Sequence, residues 1–549
     1  VGFGCIVLGL LLKHIGTCVR ASGQAGGVMT LGAAMLACAA AGAAMAAAPP
    51  APAVPPTLTI NEFTVTGNHI LAEDEVDDAV YPYLGPGQTI KSVDEARAAL
   101  QKIYADKGFQ TVSVIIPPQH VVGGVVMLQV IEAPVGRLRV NGARYFSPNK
   151  IKSQAPSLAP GKVPNFTGIK RDIIALNEWP DRQVIPTLQQ GVAPHTVDVD
   201  LNVKDTLPLH GTLELNNRYN ADTSPLRVNA SLSYDTLFQR GDTIGLSFQV
   251  APQNIRNALV FSSFYQARVP GIDWLSLQLS GLISNSNVVS LGSTDVVGKG
   301  HQVGLHGLIT LPGGNGFFDQ LNAGIDYKDF QQNVLLGGAT LPTPITYFPL
   351  SAVYSAGWQG DTGLTLFDIG PTFGIRSLGS EGTAFDNKRY NGQGNFIYVR
   401  GDLSRQQTLP FGVEAFAKTQ FQIANAPLIN NEQFSAGGQD TVRGYLESEV
   451  LGDNAILGSL EIRTPPITLL GPKVTDWRVF AFSEGGQASI LDPLAQQQAI
   501  FDLASVGVGS RIELVDHLNG MVDVALPLIT SVNTHAGKPR LEFRVWVAF

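Results

Sequence analysis

The sequence predicts a mixed architecture: two small α+β modules followed by an antiparallel transmembrane β-barrel of about 16 strands. Three observations carry this. The chain is poor in charge and rich in glycine. A unit of roughly 70–80 residues occurs twice in its N-terminal part. From about Leu207 to Phe549, helical periodicity gives way to alternation of apolar and polar side chains.

Of the 549 residues, 15% are charged, 44% are hydrophobic and 59 are glycine. Charge lies well below the globular norm of about 25% while apolar content is ordinary, which excludes long disorder. No run of about 20 strongly apolar residues recurs, which excludes a bundle of membrane-spanning helices. A net charge of −8 gives no bulk attraction to nucleic acid, so no nucleic-acid partner is expected. A barrel fits all of this, because its polar lumen face dilutes the hydropathy of its strands.

Residues 1–46 read as a targeting segment. An alanine-rich apolar stretch from Met29 ends in Ala44-Met45-Ala46, an A-x-A cleavage pattern. A Pro/Ala-rich spacer follows at 47–56. Lys13 and Arg20 precede Met29. Residues 1–28 are therefore either part of a long signal or an extension upstream of a start at Met29, the second being preferred. Cys5, Cys18 and Cys38 all fall in this segment and the rest is cysteine-free, as suits a chain crossing an oxidising compartment.

The first module is expected over 57–134. LTINEFTVTGNHIL reads as a strand ending in a Gly67-Asn68 turn. The acidic start of AEDEVDDAV suits a helix N-terminus. A second helix is expected from Ser92 as N-cap, with Glu95 completing a capping box and Gly108 ending it. Two strands, TVSVIIPP and GVVMLQVIEA, close the order β-α-α-β-β. The pattern restarts over 135–205, with VGRLRVNGARYFS as strand and turn, PNKIKSQAPSL and TGIKRDIIALNEWPD as helices, and RQVIPTLQQGV and TVDVDLNVKD as strands. This order and these turns resemble POTRA domains. Asn177, Pro180 and Arg182 in LNEWPDRQVIPTL, with the Gly191 turn, look like the second POTRA of two-partner secretion transporters.

The barrel is expected over 206–549. In LRVNASLSYDTLF, Leu226, Val228, Ala230, Leu232 and Tyr234 alternate with polar residues; DTIGLSFQV, LSLQLSG, LNAGIDYKD and VEAFAKTQFQIA repeat the pattern. A soluble sandwich alternates in the same way. Strands of about 9–11 residues, the length that crosses a bilayer at a tilt, favour the membrane. Dividing the region by roughly 20–22 residues per strand and connection gives an even number near 16. An apolar outer face in lipid also requires closure. The last segment, RLEFRVWVAF, ends on Phe549, which looks like an outer-membrane assembly signal read by the barrel assembly machinery.

The sharpest motif is FSAGGQDTVRGYLE, within a loop placed near 434–450. Val442, Arg443, Gly444 and Tyr445, led by Gly437 and Gly438, resemble the VRGY/F tetrapeptide of the two-partner secretion (TpsB) family and the wider BamA-type superfamily, where the sixth extracellular loop folds back into the barrel. An arginine inside a β lumen needs a carboxylate. The family supplies one from a strand motif F-x-D-x-G, and Phe482, Glu484 and Gly486 stand at that spacing here with Glu for Asp. The expected pair is Arg443–Glu484.

The resemblance implies an outer-membrane exporter, its POTRA domains in the periplasm, that passes a β-helical TpsA-type exoprotein with an N-terminal secretion domain through its barrel. Other partners would be outer-membrane lipid and, during biogenesis, the assembly machinery. Family members often carry an N-terminal plug helix; the short spacer predicts none here, or one lost to a misassigned N-terminus. The alternatives are a BamA/TamA-like assembly factor and a passive porin. No enzyme is expected, since neither a P-loop nor G-x-S-x-G occurs, and the nine histidines show no metal-ligand spacing, so neither a cofactor nor a metal is expected. Arg240-Gly241-Asp242 reads as a hairpin turn rather than an adhesion tripeptide.

Overall fold

The computed structural model describes residues 57–549 apart from 287–288, 292–294, 337–338, 470, 472–473 and 516. The targeting segment, the spacer and the plug-helix question lie outside the described residues. The chain forms two compact units that divide between Leu207 and Pro208.

The first unit holds two copies of one design. In the first copy, Val125–Ile131 lies between Glu62–Thr66, to which it is parallel, and Ser113–Ile115, to which it is antiparallel. Helices Glu73–Val80 and Ile90–Asp106 bury Val76, Leu100 and Tyr104 against Val114, Leu128 and Val130. In the second copy, Val197–Asp205 lies between the parallel Val135–Asn141 and the antiparallel Arg182–Gln190. Helices Pro148–Ser153 and Phe166–Leu176 cover that sheet.

One device recurs in both copies. After the first strand the chain turns at a glycine with positive φ, Gly67 (79°) or Gly142 (85°). A Cβ at either would strike a carbonyl of the last strand, that of Val130 or Val203, so only glycine fits. A carboxylate at the end of that strand then collects the turn's free N–H groups. Glu132 accepts from His69 (2.9 Å) and Ile70 (3.1 Å), and Asp205 from Arg144, Tyr145 and Phe146 (2.8–3.2 Å).

Two expectations for the first copy are corrected. Its long helix starts one turn early. Thr89 is the N-cap, and Ser92 occupies the third helical position, where its hydroxyl accepts the Thr89 N–H at 3.2 Å. Both residues carry capping hydroxyls, and the competition goes to the earlier one because Ile90 and Lys91 continue the helix. The single strand expected through LTINEFTVTGNHIL is also divided: Glu62–Thr66 joins the main sheet, while Leu58–Ile60 forms a short ladder with Gly85–Gln88, whose GPGQ carries no strand signal.

The second unit is a closed antiparallel barrel of sixteen staves; Ala339–Tyr347 and Leu350–Gly360 pair with successive parts of Phe317–Leu336 and make up one of them. Arg540–Ala548 closes on Leu209–Asn216 from Arg544↔Asn216 to Ala548↔Thr212. Phe549 extends this seam: it exchanges backbone bonds of 3.0 and 3.1 Å with Gly211 and lays its ring where a Gly211 side chain would stand. Leu213, Leu246, Leu279, Leu305, Leu460 and Val524 are exposed on the outer wall, while Glu214, Gln420, Glu461, Glu484, Ser505 and Asp523 are buried inside. That inversion of a soluble core is what a lipid-facing wall requires. Connections at one end are short, and several expose an apolar residue, including Phe238, Trp274 and Phe411. Arg240 and Gly241 lie in one of these turns, with Asp242 opening the next strand.

Candidate functional site: an arginine-tipped loop in the lumen

The connection between Glu414–Ala424 and Asn454–Arg463 is long, and it turns inward. It carries a small hairpin, Phe434–Ala436 paired with Val450–Gly452. Phe434, Ala436, Val442, Tyr445 and Val450 pack on wall residues Leu457, Ala488 and Leu503. The segment is buried almost throughout, although it is irregular backbone.

Three glycines shape the tip. Gly437, Gly438 and Gly444 have φ of 102°, 101° and 89°. A Cβ on Gly444 would lie 3.1 Å from that of Ala525 and 3.3 Å from the Pro527 ring, so the tip backbone rests directly on the wall. Strand alternation points Phe482, Glu484 and Gly486 into the bore together. Gly486 faces the Ile456 carbonyl too closely for any side chain.

Arg443 meets this row. Glu484 Oε1 accepts from Nε (2.9 Å) and Nη2 (2.6 Å) of Arg443, and Oε2 accepts from its backbone N–H (2.7 Å). The guanidinium centre lies 3.5 Å from the Phe482 ring centroid. Glu461 Oε2 accepts from Nη2 at 3.0 Å. A charge ladder continues from there: Glu461 to Arg463 (2.6 Å), Arg463 to Glu414 (2.6 Å), and Glu414 to Arg478 (3.3 Å). The neighbouring tip residues are held as well. Gly444 N–H donates to Glu542 at 3.0 Å, and the Tyr445 hydroxyl donates to the Ile529 carbonyl at 2.7 Å while accepting from Ala504 N–H at 3.2 Å. Val442 is fully buried.

The loop's two limbs have their own anchors. Glu432, 1% exposed, accepts from Lys328 Nζ (2.7 Å), Tyr347 (2.6 Å) and Tyr398 (2.8 Å). Asp453 accepts from Arg389 (3.1 Å), Leu428 N–H (2.9 Å) and Leu491 N–H (2.7 Å). Glu447 and Asp440 both receive Arg218. Glu449 accepts the backbone N–H of Asn533 and Thr534. None of these anchors was singled out from the sequence, nor was Glu461 or Glu542. Glu461 and Glu542 lie on the lumen-facing registers of NAILGSLEIR and RLEFRVWVAF and so carried a signal. The others depend on a loop path that no local pattern encodes.

The remaining residues singled out from the sequence lie in the second α+β copy. The Asn177 side chain stands in for a strand: its Nδ2 donates to the Val184 carbonyl (3.0 Å) and its Oδ1 accepts the Val184 N–H (2.6 Å). Pro180 sits in the turn closed by Arg182 N–H to the Trp179 carbonyl. Arg182, 3% exposed, donates Nε (3.0 Å) and Nη2 (2.7 Å) to the Leu176 carbonyl and stacks 4.2 Å from the Trp179 ring. These three hold the end of the helix to the strand after it.

Two family profiles match the chain. One, a POTRA domain of ShlB type, covers residues 58–133. The other, haemolysin secretion/activation protein ShlB/FhaC/HecB, covers 346–512, which contains the loop and the strands bearing Glu461 and Glu484. The chain is 22% identical over 411 residues to the outer membrane transporter CdiB of Dickeya dadantii, covering 72% of this chain and 71% of that protein. It is 22% identical over 397 residues to the heme/hemopexin transporter protein HuxB of Haemophilus influenzae, covering 69% and 67%. The structure of CdiB from Escherichia coli aligns with a TM-score of 0.55 at 20% identity, over 92% of this chain and 93% of that one.

Proposed function

Because this chain belongs to the two-partner secretion (TpsB) transporters of the bacterial outer membrane, we propose that its POTRA pair takes up an unfolded exoprotein in the periplasm and delivers it to the barrel for export. The cargo is a TpsA-type, β-helical protein entered by its N-terminal secretion domain. An extended segment adds to an open POTRA sheet edge, where backbone bonds give affinity and side-chain pockets give selectivity. Folding outside the cell drives export, and no nucleotide is hydrolysed, in keeping with a sequence that has no phosphate-binding loop.

The observation that carries this reading is the Arg443 tip, held across the bore by Glu484, Glu461 and Phe482. A passive porin has no need of a buried arginine latch, and the match over 346–512 is to secretion proteins rather than assembly factors. In the resting transporter the loop obstructs the lumen, and cargo displaces the tip.

The test is export of a large β-helical exoprotein, sought first in the neighbouring gene. Wild type secretes it; Arg443→Ala and a chain lacking residues 57–205 fail to, with barrel assembly intact by heat-modifiable mobility. Undiminished secretion by both variants would remove the mechanism.

A further inference from the structure

The outer wall of the barrel is apolar or small almost everywhere, and strand alternation makes exceptions easy to place. Among the described residues of the barrel strands, every Lys and Arg but one lies on the lumen-facing register. The exception is Arg405. In its strand, Ile397–Thr408, Arg400 meets Gln422 and Asp402 meets Lys418 inside the bore, so Leu403, Arg405 and Gln407 face outward. The cross-strand row through it runs Phe317, Trp358, Thr365, Arg405, Ala417.

The guanidinium is positioned but not neutralised. Nη1 donates to Thr365 Oγ1 at 2.7 Å, and Nη2 donates to Gln407. Gln407 in turn donates to Thr362 Oγ1 at 2.8 Å. No carboxylate pairs with Arg405 among the described residues. A guanidinium has five N–H donors, so three remain unused. Polar partners fix its plane, yet its charge is left to be met from outside the protein.

Its depth says by what. Arg405 lies three residues before the strand ends, beside the short turn bearing Phe411, which is 95% exposed at φ 65°. Trp358, 57% exposed, lies two strands away along the row, beyond Thr365. Exposed Trp and Phe mark the headgroup level of a bilayer. A charge at that level is tolerated where one at mid-bilayer is not, and a long side chain reaches headgroups from there.

We propose that Arg405, with Thr365 and Gln407, is a binding site for the phosphate of a phospholipid in the periplasmic leaflet. Guanidinium matches phosphate in a planar, two-pronged contact. Leu403 and Trp358 continue the lipid-facing belt on either side, which suits a phosphate carrying acyl chains rather than a free anion. The inference rests on the outer-membrane reading, because it needs lipid against this wall.

The test uses the full-length protein reconstituted in vesicles of phosphatidylethanolamine and phosphatidylglycerol, re-extracted in mild detergent and examined by native mass spectrometry. Wild type retains phospholipid. Arg405→Gln weakens retention by about fivefold or more, the loss of one basic residue at a membrane surface. Arg405→Lys falls between them, and Lys204→Gln, a surface change outside the barrel, equals wild type. Folding of each variant is checked by heat-modifiable mobility. Equal retention by folded Arg405→Gln and wild type overturns the site. Displacement by millimolar inorganic phosphate, or equal retention of diacylglycerol, overturns the choice of ligand. Failure of wild type to insert or to retain any lipid overturns the membrane reading itself and is distinct from those outcomes.

Discussion

Glu484 grips Arg443 twice, by the guanidinium through one carboxylate oxygen (2.6 and 2.9 Å) and by the backbone N–H through the other (2.7 Å). The family pattern has Asp at this position, and the extra methylene of Glu lets one side chain reach both. Both side chains are under 10% exposed, so the pair is dry and removal of one partner is expensive. Glu484→Ala should destabilise the seated loop by about 3–5 kcal/mol, leaving Glu461 as the remaining carboxylate on Arg443. Glu484→Asp should keep one of the two grips and fall between. Single-channel conductance in planar bilayers reads this directly: largest in Glu484→Ala, intermediate in Glu484→Asp, smallest in wild type.

Phe482 adds a component that is not a hydrogen bond. Its ring centroid lies 3.5 Å from the Arg443 guanidinium, on the same lumen-facing row as Glu484. A desolvated cation–π contact contributes about 2 kcal/mol. Phe482→Leu preserves apolar volume and removes the ring face. It should raise open-channel frequency in wild type and have a much smaller effect once Arg443 is Ala. Equal effects in the two backgrounds would assign Phe482 to wall packing instead.

Gly444 tests the seat of the tip. At φ 89°, with Ala525 and Pro527 within 3.3 Å of any added Cβ, alanine meets both an unfavourable backbone region and a wall that cannot recede. Left-handed backbone alone costs an alanine about 1–2 kcal/mol. Gly444→Ala should lift the tip, break the Tyr445 bond to Ile529, and expose the loop to added protease in detergent-solubilised protein. The Arg443–Glu484 pair should weaken with it, although neither residue has changed.

The fold was more legible than the loop. Period-2 alternation identified strands such as Arg227–Leu237 and Glu414–Ala424, because a wall with lipid on one side and water on the other stamps its geometry on every second residue. The repeated α+β unit was visible through its Gly67 and Gly142 turns, which steric necessity preserves in both copies. Thr89 was overlooked because two hydroxyls three residues apart offer the same cap. Arg443 and Glu484 could be paired only through a resemblance, and nothing in the residues themselves draws the path of the loop. Its anchors Glu432, Asp453 and Glu449 lie 104, 64 and 84 residues from Lys328, Arg389 and Asn533, so no local pattern could bring them together.

Arg182 carries a structural prediction. Burial pushes its guanidinium down to about 10, because no carboxylate offsets the desolvation by direct contact. Its donors instead satisfy the Leu176 carbonyl at the end of a helix, a group otherwise left without a partner. Lysine cannot make the forked contact or stack flat on Trp179. Arg182→Lys should therefore cost the second copy about 1–3 kcal/mol. Hydrogen exchange on the whole protein would show it as faster exchange over 135–205, with 57–134 unchanged.

Tyr104 makes the first copy sensitive to alkali. The side chain is fully buried; its hydroxyl donates to Asn68 Oδ1 at 2.5 Å, with Glu132 Oε1 at 3.1 Å. Burial first, and the Glu132 carboxylate second, hold the phenol well above its ordinary value of 10.0. A folded-state value above the unfolded one favours the protonated form in the fold. The stabilisation is fully present below the ordinary tyrosine range and is lost as pH rises from there toward the folded value. Tyr104→Phe removes the titrating group, and Asn68 Oδ1 still accepts the Leu71 N–H at 3.0 Å, so the turn survives. Between neutral pH and about pH 11, just above the ordinary phenol range, wild type should lose protection over 57–134 more steeply than Tyr104→Phe. Parallel curves would mean that other groups govern alkaline opening of this copy.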